Sequence, residues 1–102
     1  MAGGFGLVVR FKLLDSQAAA AFDELVSRML GGIRRYEPGT VVYTVHRVPD
    51  EPDVRVFYEL YEDREAFDAH ERQAHTRQFL EERERFVSST EVTFLERLDG
   101  KA

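Results

Sequence analysis

Between Arg55 and Phe79 the chain reads RVFYELYEDREAFDAHERQAHTRQF, and this stretch concentrates the side chains able to move a proton: Glu59, Tyr61, His70 and His75. Imidazole titrates near neutrality, so His70 or His75 could serve as a general base. Glu59 is set between Phe57 and Tyr61 on one face of an alternating segment. It could orient a histidine, or take the proton itself where burial raises its pKa. Tyr61 and Tyr43 offer O–H donors, and Phe67 and Phe79 offer walls against which a flat ring stacks. Plainer readings stand beside these. His70 on an inner helical stripe could be a hydrogen-bonded core histidine, and Glu59 could pair with Arg47 or Arg10 across a sheet. Phe67, Phe79, Tyr43 and Tyr58 could equally be core or interface.

The elements that must position these groups follow from periodicity. Phe5, Leu7, Val9, Phe11 and Leu13 alternate with Gly6, Val8, Arg10, Lys12 and Leu14, which predicts a first strand. Asp15 or Ser16 then caps a helix whose apolar residues Ala18, Phe22, Leu25, Val26, Met29, Leu30 and Ile33 recur at helical spacing; Gly31-Gly32 weakens it near its end. Pro38-Gly39 is a turn, and Thr40 to Val48 alternates again. Pro49 to Asp53 reads as a hairpin loop longer than the tight two-residue kind. Strand three, Val54 to Tyr61, carries Val54, Val56, Tyr58 and Leu60 on one face and Phe57, Glu59 and Tyr61 on the other. Asp63 caps a helical region reaching about Phe86, with Glu65 in its first turn. Phe67, His70 and Ala74 form one stripe and His75, Phe79, Leu80, Phe86 and Val87 a second, offset stripe, so a break is expected between Arg72 and Ala74. Ser88-Ser89 closes the region and Thr90 to Leu98 supplies a last strand. The order β-α-β-β-α-β predicts an α+β, ferredoxin-like fold: a four-stranded antiparallel sheet with helices on one face. The whole chain, 1–102 with a core of about 5–98, reads as one domain.

Helices on one face leave the other bare. Too many large apolar side chains fall there for a wet surface, which predicts a two-fold homodimer through the sheet. The net charge of −5 argues against nucleic acid, and strand three lacks the Lys/Arg-Gly-aromatic pattern of an RNA-binding platform. Without cysteine there is no disulfide framework, thiolate nucleophile or Cys-ligated zinc, which fits the cytoplasm. The N-terminal apolar run is interrupted by Arg10 and Lys12, so neither a signal peptide nor a membrane span is expected. His70-Glu71-Arg72-Gln73-Ala74-His75 is one residue longer than the zinc motif H-E-x-x-H; a continuous helix would set its imidazoles about 140° apart. The mixed run Glu81 to Arg85, with Arg77–Glu81 and Glu81–Arg85 at i,i+4, reads as a solvated helix face.

Four motifs together carry a family resemblance: E-P-G-T-x-x-Y at Glu37 to Tyr43, D-E-P-D at Asp50 to Asp53, E-x-Y-x-D at Glu59 to Asp63, and A-x-x-x-H-x-x-x-x-H-x-x-x-F from Ala66 to Phe79. From about Leu7 to Leu98 the chain resembles the antibiotic biosynthesis monooxygenase domain, and within it the small proteins called quinol monooxygenases. The resemblance implies a dimeric α/β barrel of ferredoxin-like subunits that oxidises quinols or polycyclic phenols with dioxygen, without metal or flavin. That family also holds haem-degrading enzymes and an isomerase. The absence of Trp speaks against the polyketide-oxidising and haem-degrading branches. What the resemblance implies is therefore a cofactor-independent monooxygenase acting on a small quinol-like or phenolic aromatic. Its catalytic candidates are His70, Glu59 and His75, its substrate-binding candidates Tyr61, Tyr43, Phe67 and Phe79, and it takes neither metal nor cofactor. A non-catalytic dimeric binding module, or an isomerase using the same His and Glu, is the alternative.

Overall fold

The computed structural model describes residues 4–101. The elements run β1 (Phe5–Leu13), α1 (Ser16–Tyr36), β2 (Thr40–Val48), β3 (Glu51–Tyr61), α2 (Arg64–Arg72), α3 (Ala74–Glu82), a single 3₁₀ turn (Arg83–Arg85) and β4 (Val87–Glu96). The four strands form one antiparallel sheet in the order β2-β3-β1-β4, the ferredoxin-like arrangement, with the second helical region split into α2 and α3. Both long helical regions start where an aspartate side chain satisfies a free backbone N–H. Asp15 Oδ1 accepts from the Ala18 amide and Asp63 Oδ1 from the Ala66 amide, each at 2.8 Å.

Register decides which side chains meet the helices. Leu7 lies opposite Glu59, Val9 opposite Phe57 and Phe11 opposite Arg55, so these residues share the face that α1, α2 and α3 cover. There Phe11, Phe22, Phe57 and Phe79 pack edge-on or tilted, the Phe11 and Phe57 rings only 4.8 Å apart. Truncating one such ring to Ala costs about 3–5 kcal/mol. Arg55 is buried among these apolar groups and fully engaged: Nε and Nη2 donate to the two oxygens of Asp23 at 2.8 and 2.9 Å, and Nη1 donates to the Pro52 and Val54 carbonyls. This pair ties α1 to β3.

Three local expectations change. The hairpin between β2 and β3 is a tight one, because Val48 pairs directly with Glu51 and only Pro49-Asp50 turns. A register shift after Arg47 absorbs the extra residues inside β3, where a bulge accommodates Pro52 and its missing N–H. Gly31-Gly32 lies near the end of α1, as expected, and the helix runs on to Tyr36 because Ile33 still packs into the core. Ser88 and Ser89 belong to β4, paired with β1, and that strand stops at Glu96.

On the sheet's outer face Val8, Val56 and Tyr58 are half-buried, and Leu60 is covered where it crosses the side-chain-free Gly4 and Gly6. No helix of the described residues is long and apolar enough to cross a membrane.

Candidate active site

The site is built around a carboxylate at the end of α1. Glu37 is the C-cap residue, its amide donating to the Ile33 carbonyl at 3.2 Å. After it the chain turns at Pro38-Gly39 so tightly against α2 that a Cβ on Gly39 would stand 2.7 Å from the Ala66 Cβ. The Glu62 amide donates to the Gly39 carbonyl at 3.0 Å and holds that turn over the end of β3. The Glu37 side chain, 3% exposed, accepts from the Thr40 hydroxyl at 2.7 Å and from His70 Nδ1 at 2.8 Å, both on Oε1. Its Oε2 accepts from His75 Nε2.

The two histidines reach one carboxylate because the helical region breaks between them. Gln73 adopts extended backbone (ψ 143°), α3 starts afresh at Ala74, and His70 and His75 approach Glu37 from two helices. The angle that a continuous helix would impose is thereby removed. His75 fits only because α1 has no side chain at Gly32, where a Cβ would fall 2.3 Å from the imidazole. Its ring also stacks on Tyr36, centroids 6.4 Å apart.

A carboxylate only accepts, so each imidazole presents an N–H to Glu37, and the tautomers follow from this network. His70 thus carries a proton on Nδ1, and Nε2 is the ring nitrogen left over. Among the described residues nothing bonds Nε2, while every buried side-chain nitrogen and oxygen has a partner, so Nε2 is the nitrogen that opens to the adjoining cavity. Burial pushes the Glu37 carboxyl up, but the bonds from His70, His75 and Thr40 outweigh it and hold the group below its ordinary value, ionised.

That cavity, of about 160 Å³, lies between the sheet and helices α2 and α3. Tyr43, Glu59, Phe67, His70, Phe79 and Arg83 are among the residues that line it. Glu59 Oε1 accepts from the Tyr61 hydroxyl at 2.6 Å. Burial raises its pKa, and the lowering effects of Tyr61 and His70 do not cancel that rise. Burial and then the Glu59 charge raise both Tyr43 and Tyr61, so both phenols stay protonated donors. The Tyr43 and Tyr61 rings flank His70, with centroids 5.5 and 5.3 Å from its own.

Five of the seven sequence-predicted site residues thus share one cavity: Tyr43, Glu59, Phe67, His70 and Phe79. Tyr61 stands behind Glu59, fully buried, and His75 stands behind Glu37 beside a separate recess of about 40 Å³. The pairing of Glu59 with Arg47 or Arg10 does not form. Arg10 lies on the outer face opposite Val56 and pairs with Glu51 at 3.1 Å, and Arg47 sits four cross-strand pairs beyond Tyr43 and its neighbour Glu59. Glu37, Thr76 and Arg83 were not among the predicted site residues. Glu37 left a trace in the sequence, since an acidic group at a helix C-terminus opposes the helix dipole and needs another reason to be there. Arg83 was hidden in a run that reads as solvated surface. Among the described residues no three His, Asp or Glu side chains are arranged to ligate a metal ion.

A family model described as antibiotic biosynthesis monooxygenase matches residues 4–82. The chain belongs to this family. Among solved structures, an antibiotic biosynthesis monooxygenase-family protein of Caulobacter crescentus superposes with TM-score 0.89 at 21% identity, covering 96% of this chain and 92% of that one. Rv0793 from Mycobacterium tuberculosis gives 0.88 at 24% identity, covering 98% and 100%. At these identities the likeness speaks for the monooxygenase-family fold alone. No curated protein sequence matches the chain significantly.

Proposed function

We propose that the chain is a cofactor-independent monooxygenase that oxidises a small quinol-like or phenolic aromatic with dioxygen. One observation carries the reading: His70, braced through Nδ1 by an ionised and buried Glu37, lines an aromatic cavity that Glu59 shares. In this reading His70 Nε2 takes the phenolic proton, Glu37 stabilises the imidazolium that forms, and the ring becomes electron-rich enough to meet dioxygen. A C–O bond forms to the ring. The O–O bond then breaks as the ring carbon loses its hydrogen, and the distal oxygen departs as water with two protons. A hydroquinone plus dioxygen gives a hydroxyquinone plus water, and the electrons balance without a further reductant. Tyr43 donates toward the oxyanion, and Glu59, whose raised pKa suits it to exchange protons, serves the departing oxygen. The apolar walls keep water from the peroxidic stage.

The same reading pairs two copies through their outer sheet faces, covering Val8, Val56 and Tyr58. Oxygen uptake by metal-stripped protein with a panel of hydroquinones and anthrone-like phenols, against buffer, tests the activity. Saturable consumption with hydroxyquinone product is expected. Saturable binding without oxygen consumption would make the chain a binding module instead.

A further inference from the structure

Arg83 differs from the ion-paired arginines of this chain. Arg55 is saturated by Asp23 and two carbonyls, Arg10 pairs with Glu51, and Arg64 pairs with Asp68. Arg83 is half-buried, lines the cavity and lies over the Phe11 and Phe79 rings at 5.6 and 6.0 Å. It is flanked in sequence by Glu82 and Glu84, yet among the described residues no carboxylate comes within ion-pairing distance of it. A guanidinium drawn inward over aromatic rings and left without an anion presents its N–H donors to whatever enters the cavity.

Its place along the cavity is set by the sheet. Leu7 is level with Glu59, beside His70, whereas Phe11, under Arg83, is four residues further along β1, about 13 Å at the rise of a strand. His70 and Arg83 thus stand toward different ends of the cavity that both line. The cavity volume, about 160 Å³, also matches one benzene ring, since a cavity of about 150 Å³ takes benzene. Resting on the proposed oxidation, we propose that the substrate is a single-ring hydroxyaromatic carrying a carboxylate, with the hydroxyl at His70 and the carboxylate on Arg83. Two carboxyl groups share the lining with Arg83: Glu71 is exposed, and Glu59, whose pKa burial raises, lies four residues along the sheet from the ring that Arg83 covers.

The test compares 2,5-dihydroxybenzoate with its methyl ester, by anaerobic calorimetric titration and by oxygen uptake, on wild type, Arg83→Met and Arg83→Lys. Met keeps the apolar contact with Phe11 and Phe79, and Lys keeps the charge. Wild type is expected to bind the acid about tenfold to a hundredfold more tightly than the ester. In Arg83→Met that preference should vanish while ester affinity stays put, and Arg83→Lys should keep part of it. Equal affinity for acid and ester in wild type, or a preference that survives in Arg83→Met, overturns the inference. If that happens while the ester drives oxygen uptake, the oxidation stands and only the anionic substituent falls. An Arg83-dependent preference without oxygen uptake supports the anion site and removes the oxidation. Binding of neither compound removes both.

Discussion

Glu37 and His70 lie 33 residues apart in the chain, yet their side chains meet at 2.8 Å, both almost wholly buried. One closes α1 and the other is near the end of α2. The contact exists because the Pro38-Gly39 turn touches α2 directly, and it fixes a proton of an otherwise ordinary core histidine on Nδ1.

Glu37→Gln tests the brace. The amide keeps the volume but loses the charge, and one of its two positions must face an imidazole N–H with another donor. Stability should fall by about 1–3 kcal/mol in urea titration. kcat should fall toward, but not beyond, the loss caused by removing the base, with KM little changed. Unchanged turnover in a folded variant would detach Glu37 from the chemistry.

His70→Ala and His75→Ala should separate the two imidazoles. Removing the base costs about 10²–10⁴ in rate. Removing His75, which contacts Glu37 on the side away from the cavity, should lower the melting temperature and change the rate far less. Equal rate losses in both variants would mean that the pair acts through Glu37 alone.

The pH dependence of stability has opposite signs at the two carboxylates. Glu37 is held below its ordinary value of 4.5, so its contribution is full above that pH and is lost as pH falls through the folded value. Glu59 is raised by burial, so its contribution is full below about 4.5 and is lost as pH rises through its folded value. Denaturant titrations across about pH 3 to 8 should show the acid limb flattened in Glu37→Gln. Glu59→Gln should gain on wild type as pH rises. A constant difference between Glu59→Gln and wild type would contradict the raised value.

Gly32→Ala should displace His75, since the new Cβ falls 2.3 Å from its ring. Overpacking of this kind costs about 1–3 kcal/mol. Gly31→Ala, with nothing within 4 Å of its Cβ position, should be neutral or stabilising. The two melting temperatures, measured together, separate crowding from the general effect of replacing glycine in a helix.

Tyr58→Asp, on the outer face, should shift sedimentation from dimer to monomer while the helix-side core, led by Phe11 and Phe57, stays folded. A wild-type chain that sediments as a monomer at micromolar concentration would remove the pairing of sheet faces.

The sequence patterns made the strands, the Asp15 and Asp63 caps and the break before Ala74 readable, because each is a local matter of period and side-chain chemistry. The aromatic cavity residues were readable for the same reason, since β3 and α2 are consecutive and place Glu59, Phe67 and His70 near one another. Glu37 was not readable as a partner of His70 and His75. That contact depends on how closely a turn packs on a distant helix, and the residues that permit it, Gly39 against Ala66 and Gly32 against His75, signal only space. The hairpin length was misread because two prolines and three acids look like loop, whereas a bulge let most of them join the strand.

The break at Gln73 bears on how the protein acquires its site during folding. Glu37 closes the first half of the chain, and its partners follow 33 and 38 residues later on separate helices. A molecule in which β1, α1, β2 and β3 have assembled holds a sheet and most of a core but no oriented His70. Recovery of a native Glu37–His70 contact, followed by imidazole NMR signals, should therefore report the docking of α2 on the end of α1, separately from the pairing of β1 with β3.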